Sequence, residues 1–133
     1  MSAVKQVSRV KSPNFAFLAS HDSLLVKYAA QAEKYIFEDP NTSLIKLRQF
    51  IEVLAQQASA YSGVYSSPEE SLVDLLERLS SRGVLTPDVA QLFHGIRKAG
   101  NQAVHNHGGS QGDALYQLRM ARTLAVWFHR SFS

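Results

Sequence analysis

The chain of 133 residues contains no cysteine, which excludes disulfide bonds and thiolate metal sites. This composition fits a reducing compartment, and we expect a cytoplasmic protein. No apolar run is long enough to span a bilayer, so we expect no membrane association. Hydrophobic residues make up 45% and charged residues 19% of the chain, which is typical of a single folded globular domain.

The sequence also lacks the motifs of several enzyme classes. It contains no GxxxxGK[ST] phosphate loop, no GxSxG nucleophile elbow and no HExxH zinc helix. Its carboxylates are scattered, which disfavours a two-metal nuclease site, and its histidines are too dispersed for a structural zinc site. We therefore expect no metal, no cofactor and no complete catalytic site in this segment.

The formal charge of +3 is concentrated at the two ends of the chain. Residues 1–13 carry three basic and no acidic side chains, and residues 113–133 carry three arginines against one aspartate. We interpret residues 1–13 as a flexible basic arm and residues 14–133 as a single domain. The total charge is too small to require a nucleic-acid partner by itself.

Apolar residues recur at helical spacing through most of the chain, and no segment has the alternation of a strand. The predicted helices cover residues 22–37, 41–62 or 42–62, 67–83, 86–106 and 113–132. A short apolar cluster over 15–18 is expected to pack on the bundle as a lead-in, and residues 108–112 form a glycine-rich loop. Amphipathic helices joined by short loops predict an all-α, up-and-down bundle of four to five helices.

Local capping chemistry predicts where the helices begin. Asp22, Asn41 or Thr42, Ser67 and Thr86 are candidate N-caps, and Asp113 opens the last helix. The Ser-Pro-Glu-Glu run over 67–70 has an N-cap serine, a proline at the first helical position and a glutamate three residues after the cap.

The fourth predicted helix has an apolar side that includes Gly100 and Val104. A glycine in the middle of a helix costs about 1 kcal/mol relative to alanine, so we predict a close helix crossing at Gly100.

A polar stripe lies beside this apolar side. It contains His94, Arg97, Asn101 and His105, of which the last three are successive i, i+4 neighbours whose side chains can meet. An arginine can hold a phosphate and a histidine can transfer protons near neutral pH, so Arg97, Asn101 and His105 are candidate catalytic residues. The simpler interpretation is a polar stripe that faces solvent or a partner.

The last predicted helix is rich in arginine and carries the only tryptophan, Trp127. We interpret Trp127 as part of the core or of a subunit interface, with nucleobase stacking as the alternative. The arginines can contact phosphates or form a solvated face. The candidate nucleic-acid or partner contacts are therefore His94, Arg97, Lys98, Arg119, Arg122 and Arg130.

Several blocks of the chain resemble, in the same order, the N-terminal segment of the restriction (R) subunit of type I restriction-modification enzymes. They are residues 14–18, 39–50, 92–94 with 96–105, and 124–128, and they include DPNT, LIKLRQF and GNQAVH. The resemblance implies a longer parent protein that hydrolyses ATP, translocates DNA and cleaves it, with its ATP, Mg²⁺ and nuclease motifs downstream of this segment. It also implies other subunits of the complex, and DNA, as partners.

More distantly, the chain is similar to the HEPN group of small helical domains. Many of these are ribonucleases in which a histidine follows an arginine by a few residues. His105 matches that histidine, and Asn101 matches the polar residue that commonly follows the arginine, but Gly100 stands at the arginine position. Arg97 lies one turn earlier, with seven residues between it and His105.

Three functional hypotheses follow. The first is a non-catalytic accessory domain that docks the R subunit within its complex or onto DNA. The second is a metal-independent ribonuclease in which Arg97 binds the scissile phosphate and His105 assists proton transfer. The third is a free-standing helical homodimer in a defence or toxin–antitoxin pair.

Overall fold

A computed structural model describes residues 12–65 and 67–133, and within them it contains five α-helices and no strand. A 3-10 turn at Ala16–Ser20 precedes the helices. The helices are α1 (Ser23–Tyr35), α2 (Pro40–Tyr61), α3 (Leu72–Ser81), α4 (Pro87–Asn106) and α5 (Gln111–Phe132). The predicted all-α class is confirmed. The predicted basic arm lies outside the described residues, except for Ser12 and Pro13.

The helix α2 lies at the centre of the bundle and runs antiparallel to α1. Near one end of this pair, the Ser43 hydroxyl of α2 donates to the Ala32 carbonyl of α1 at 2.7 Å. Near the other end, the Gln57 amide donates to the Asp22 carboxylate at 3.1 Å. Both contacts join a late position on one helix to an early position on the other, which is the pattern of neighbouring helices in an up-and-down bundle.

The helix α4 also runs antiparallel to α2. The Gly109 amide after α4 donates to the Asn41 side chain at the start of α2 at 3.0 Å. Further along α2, a hydrogen bond joins Arg48 to the second half of α4. The helix α5 returns parallel to α2, and the Tyr61 and Phe132 rings stack at 5.5 Å where both helices end. The predicted up-and-down bundle is therefore confirmed.

The core is built around aromatic rings from different parts of the chain. Four fully buried phenylalanines contribute most of its aromatic volume: Phe15, Phe50, Phe93 and Phe128. The Phe15 ring packs edge-on against Phe50 at 5.4 Å, so the lead-in packs on the bundle as predicted. Ser12 is also buried, and its hydroxyl donates to the Glu33 carboxylate of α1.

The predicted N-caps of α1 and α4 are confirmed. The Asp22 carboxylate accepts from the Leu24 amide at 2.8 Å. The Thr86 hydroxyl accepts from the Val89 amide at 3.3 Å, and Pro87 occupies the first helical position. Each of these side chains satisfies one of the backbone donors that the first turn of a helix leaves free.

The predicted start of the third helix at Ser67 is wrong. The helix α3 begins at Leu72, with Ser71 as its N-cap. Residues 67–70 form a turn instead, and the Glu70 carboxylate forms an ion pair with Arg78 on α3. Glu70, which a capping box at Ser67 would use, thus binds Arg78, and Ser71 caps the helix.

Two further starts are also corrected. Asp39, rather than Asn41 or Thr42, caps α2, and its carboxylate accepts from the Thr42 amide at 3.2 Å. The Asn41 side chain instead binds the loop that follows α4. Ser110, rather than Asp113, caps α5, and the Asp113 carboxylate accepts from the Ser110 amide at 3.0 Å in a capping box. The glycine-rich loop is therefore shorter than predicted.

Two residues assigned to apolar faces are largely exposed. The exposed fraction is 47% for Val104, although the helical wheel placed this residue on the apolar side of α4. It is 51% for Tyr61, the last residue of α2, for which we expected a place on the apolar, core-facing side of that helix. Both residues lie in the last turn of their helices, where fewer neighbouring side chains cover them.

The predicted close crossing at Gly100 is confirmed. Gly100 is buried where α4 crosses α2, and a Cβ atom built on it would lie 2.6 Å from the Arg48 Cβ and 3.1 Å from the Leu44 carbonyl oxygen. Neither neighbour is the free end of a flexible side chain. Glycine therefore allows a separation between the two helices that no larger residue permits.

Two histidines join the start of the fold to its end. The His21 Nε2 and His129 Nδ1 atoms lie 3.1 Å apart, which links the segment before α1 to the last turns of α5. The Phe128 ring packs edge-on against His21 at 4.8 Å. Burial lowers the pKa of His21 below its ordinary value of 6.5, and the positive charge that His129 can carry lowers it further.

The crossing at Gly100 gives a stability prediction. We expect Gly100→Ala to lower the free energy of unfolding by about 1–3 kcal/mol, because an added methyl group must displace backbone-attached atoms of α2. Gly95 is the matched control on the same helix, since nothing lies within 4 Å of its would-be Cβ. We expect Gly95→Ala to raise the free energy of unfolding by up to about 1 kcal/mol in urea denaturation. Equal stabilisation by both substitutions would contradict the close crossing.

The lowered pKa of His21 gives a pH prediction. In the unfolded chain this histidine binds a proton below its ordinary pKa of 6.5, whereas the folded chain binds it only at lower pH. The free energy of unfolding should therefore fall as the pH drops below 6.5 and stop changing with this group above that pH. We expect His21→Gln to reduce this slope in denaturation series between about pH 5 and pH 8. An unchanged slope would show that His21 does not contribute.

Candidate interaction surface

The predicted polar stripe of α4 is divided between two separate contacts. The Arg97 Nε donates to the His94 Nδ1 at 3.3 Å, one turn earlier on the same helix. The Asn101 Oδ1 accepts from the Arg48 Nε of α2 at 2.7 Å. His105 is exposed in the last turn. Within the described part of the chain, no hydrogen bond joins Arg97, Asn101 and His105 to one another.

The environment of His94 keeps Arg97 in place. Burial is the main cause that lowers the pKa of His94, and the nearby charges of Arg97 and Lys98 lower it further, while Glu77 acts in the opposite direction. A neutral imidazole carries a lone pair that can accept the Arg97 hydrogen bond. Arg97 is half-buried and bound within its own helix, which leaves it less available to a ligand.

Arg48 is a polar residue of this region that the sequence pattern did not reveal. Its side chain crosses α4 at Gly100 and binds Asn101, which lies 53 residues away in sequence. Periodicity within one helix cannot reveal a contact between two distant helices. Gly100 in the sequence predicts a close helix crossing, but it does not identify Arg48 as the residue on the other helix.

A groove of about 550 Å³ runs between the second half of α4 and the first half of α5. Lys98 is exposed at this groove. The rest of the lining combines Leu44 and small residues with amide side chains, and it includes one carboxylate, that of Asp113. Lys98 is therefore the only cation among the groove's lining residues, which the structure describes in full.

The three arginines of α5 are exposed and lie on its outer side. Residues 114–133 contain no aspartate or glutamate. Within residues 12–65 and 67–133, Arg78 forms an ion pair with Glu70. Arg119, Arg122 and Arg130 form no ion pair with any of these described residues. These three arginines are therefore not paired with a carboxylate of the described fold.

Two shallow cavities lie along the arginine face. The first, of about 300 Å³, is lined by Arg119 and Arg122 and by apolar residues of the lead-in and α5. The second, of about 530 Å³, is lined by Arg122 and Arg130 with Val126 between them. The Arg122 guanidinium also lies 5.0 Å from the centre of the Phe17 ring, a cation–π contact that orients it.

Trp127 lines the second cavity beside these arginines. Its ring packs at nearly right angles against Phe93 at 6.0 Å and against Phe132 at 5.9 Å. The side chain is half-buried, so part of it is supported by the core and part remains accessible.

Two other kinds of site are absent from the described residues. No group of three or more histidine and carboxylate side chains gathers there in a way that could hold a metal ion. No helix in this part of the chain has both the length and the apolar character that crossing a membrane requires.

The chain is similar to one described protein family and to a subunit of a known enzyme. Residues 30–124 match a family described as a domain of unknown function, DUF4145. The chain is 36% identical over 117 residues to the type I restriction enzyme EcoKI endonuclease subunit of Escherichia coli (strain K12). That alignment covers 88% of this chain and 10% of the relative, so the chain spans about a tenth of the relative's length. No solved structure matches the chain.

The family match covers most of the bundle, from α1 into α5. The relative is the kind of protein that the sequence blocks resemble, and the alignment covers nearly all of the chain. The predicted relationship to the R subunit of type I restriction enzymes is thus confirmed, and the chain belongs to the DUF4145 family.

Proposed function

We propose that this chain is a non-catalytic accessory domain of a type I restriction enzyme R subunit, and that its arginine face on α5 contacts DNA phosphates. The relative is named as an endonuclease subunit of a restriction enzyme, which supports a role next to DNA. ATP hydrolysis, DNA translocation and cleavage, with their ATP and Mg²⁺, belong in this proposal to the rest of the longer protein. The other partners of the domain in this proposal are the remaining subunits of the restriction-modification complex. We place this complex in the cytoplasm.

The three exposed arginines of α5, which form no ion pair in the described residues, are the observation that carries this proposal. Arg122 follows Arg119 by three residues and precedes Arg130 by eight, so the three lie about 4.5 Å and 12 Å apart along the helix axis. Guanidinium groups bind phosphate oxygens through two parallel hydrogen bonds. A row of such groups on a rigid helix, with no acidic residue over 114–133, can bind successive phosphates of a nucleic acid.

The cations of α4 contribute to this surface to different degrees. Lys98 is exposed at the groove between α4 and α5 and can extend the positive surface toward α4. Arg97 and His94 bind each other, so we place them beside the contact surface rather than in it.

The alternatives receive less support from the contacts. A ribonuclease that uses Arg97 and His105 would need both groups at one phosphate, whereas Arg97 binds His94 and lies about 12 Å along the axis from His105. A homodimer formed through α5 would bring two arginine faces together, which repel each other. Docking on an acidic subunit would use the same arginines of α5. Measurements of DNA binding and of subunit assembly on the same variant distinguish the two partners.

Reversal of the charges on α5 tests the proposal. We expect Arg119→Glu combined with Arg122→Glu to weaken binding of a labelled DNA duplex by roughly tenfold or more in fluorescence anisotropy. The dependence of the binding constant on salt should also become shallower, by about 0.9 logarithmic units for each phosphate that the variant protein no longer neutralises.

Lys27→Glu combined with Arg82→Glu is the matched control. Both residues are exposed, lie away from α5 and give the same change in net charge. If both double variants weaken binding equally, the effect is one of net charge and the proposed surface is wrong. If the α5 variant binds DNA normally but no longer assembles with the other subunits, the docking alternative replaces DNA contact.

A further inference from the structure

Aromatic and arginine side chains alternate along the exposed side of α5. At 100° per residue, five positions fall within an arc of about 80° on this helix. We call them the aromatic–arginine stripe: Tyr116, Arg119, Thr123, Trp127 and Arg130. Tyr116 is 55% exposed, and the two aromatic residues lie about 16 Å apart along the axis. Phosphate binding alone requires the arginines but does not explain an exposed tyrosine and a half-exposed tryptophan on the same side of the helix.

Trp127 is suited to bind a planar group. Phe93 and Phe132 pack against its ring and fix its orientation, while the side chain still lines the cavity of about 530 Å³. Its indole N–H has no hydrogen-bond partner in the described residues, and it is not among their buried unpartnered atoms. The cavity volume lies in the range of small-molecule sites, and Arg122 and Arg130 flank it.

A base inside a duplex cannot use such a ring. Duplex bases are stacked on one another and show only their edges in the grooves, whereas unpaired bases present their faces to aromatic side chains. Proteins that bind single strands combine a positive track for the backbone with aromatic side chains on which bases stack. The stripe on α5 has both components in alternation.

We infer that α5 carries a binding site for single-stranded nucleic acid, with a base stacked on Trp127, a second base on Tyr116, and the intervening backbone held by the arginines. This inference rests on the proposed function, because both use the same arginines. It adds a preference for unpaired strands, which phosphate contact by itself does not give. An acidic protein partner would require the positive charges alone and is less favoured.

Trp127 itself reports the contact, since it is the only tryptophan of the chain. We expect oligothymidylate to quench its fluorescence in a saturable titration, and a duplex of equal length at equal salt to quench it far less. Oligouridylate, titrated separately, distinguishes RNA from DNA as the source of the strand. The tyrosines contribute little when tryptophan is excited selectively, so the signal belongs to one position.

Variants separate stacking from charge. We expect Trp127→Leu and Tyr116→Leu each to weaken binding of a labelled single strand by roughly fivefold or more, with duplex binding changed by less than about twofold. Tyr65→Leu is the matched control, because Tyr65 is 45% exposed in the loop after α2 and should leave both affinities unchanged. Removal of the half-buried Trp127 ring can disturb folding. The Tyr116→Leu variant avoids this problem because Tyr116 is largely exposed.

The outcomes distinguish this inference from the proposed function. If the single strand causes no quenching and binds no better than the duplex, while the arginine variants still weaken duplex binding, the inference is wrong and the proposed function stands. If neither form of nucleic acid binds, both are wrong. An equal weakening of single-strand and duplex binding in Tyr116→Leu would also overturn base stacking.

Discussion

The close approach of α2 and α4 at Gly100 is the constraint on which the rest of the bundle depends. A Cβ at this position would lie 2.6 Å from the Arg48 Cβ, so the two helices are closer than any other residue allows. Their contact continues to the loop after α4, where the Gly109 amide binds Asn41. A Cβ on Gly109 would lie 2.9 Å from the Asn41 side-chain oxygen and 2.7 Å from a methyl carbon at the flexible end of Leu44. The loop is thus held against the start of α2, and α5 begins just after it, at Gln111.

The position of the proposed interaction surface follows from the packing of α5. Small and large apolar residues of α5 at alternating spacings of four and three are buried against the other helices, including Ala114, Leu118, Ala121, Ala125 and Phe128. The opposite arc of the helix therefore faces outward, and it carries the arginines. The capping box at Ser110 fixes one end of α5, and the contact between His21 and His129 fixes the other. The backbone that carries the arginines is therefore already ordered before binding, so a ligand has to order only their side chains.

Much of the fold could be predicted from the sequence because helical periodicity and core burial agree along most of the chain. The helix starts were less predictable, since capping chemistry is local and several neighbouring residues share it. Ser67 has the fuller capping motif, yet Ser71 caps α3, and the Glu70 carboxylate of that motif pairs with Arg78. Asn41 is a plausible cap for α2, but its side chain binds the loop after α4. Such decisions come from contacts across the fold, which no local pattern contains.

The polar residues also show the difference between a local sequence pattern and the contacts made in the folded chain. The stripe on α4 looked like a site because its members are one turn apart, yet helix packing gives Asn101 a partner on α2 and burial gives Arg97 a partner in His94. The arginines of α5 form no ion pair in the described residues, which agrees with a solvated face and also leaves them available to a ligand. A buried or half-buried polar group must be satisfied within the protein, and it then contributes to the fold. Groups that folding leaves unpaired keep their hydrogen-bonding capacity for a ligand, and the proposed surface is built from such groups on the outer side of α5.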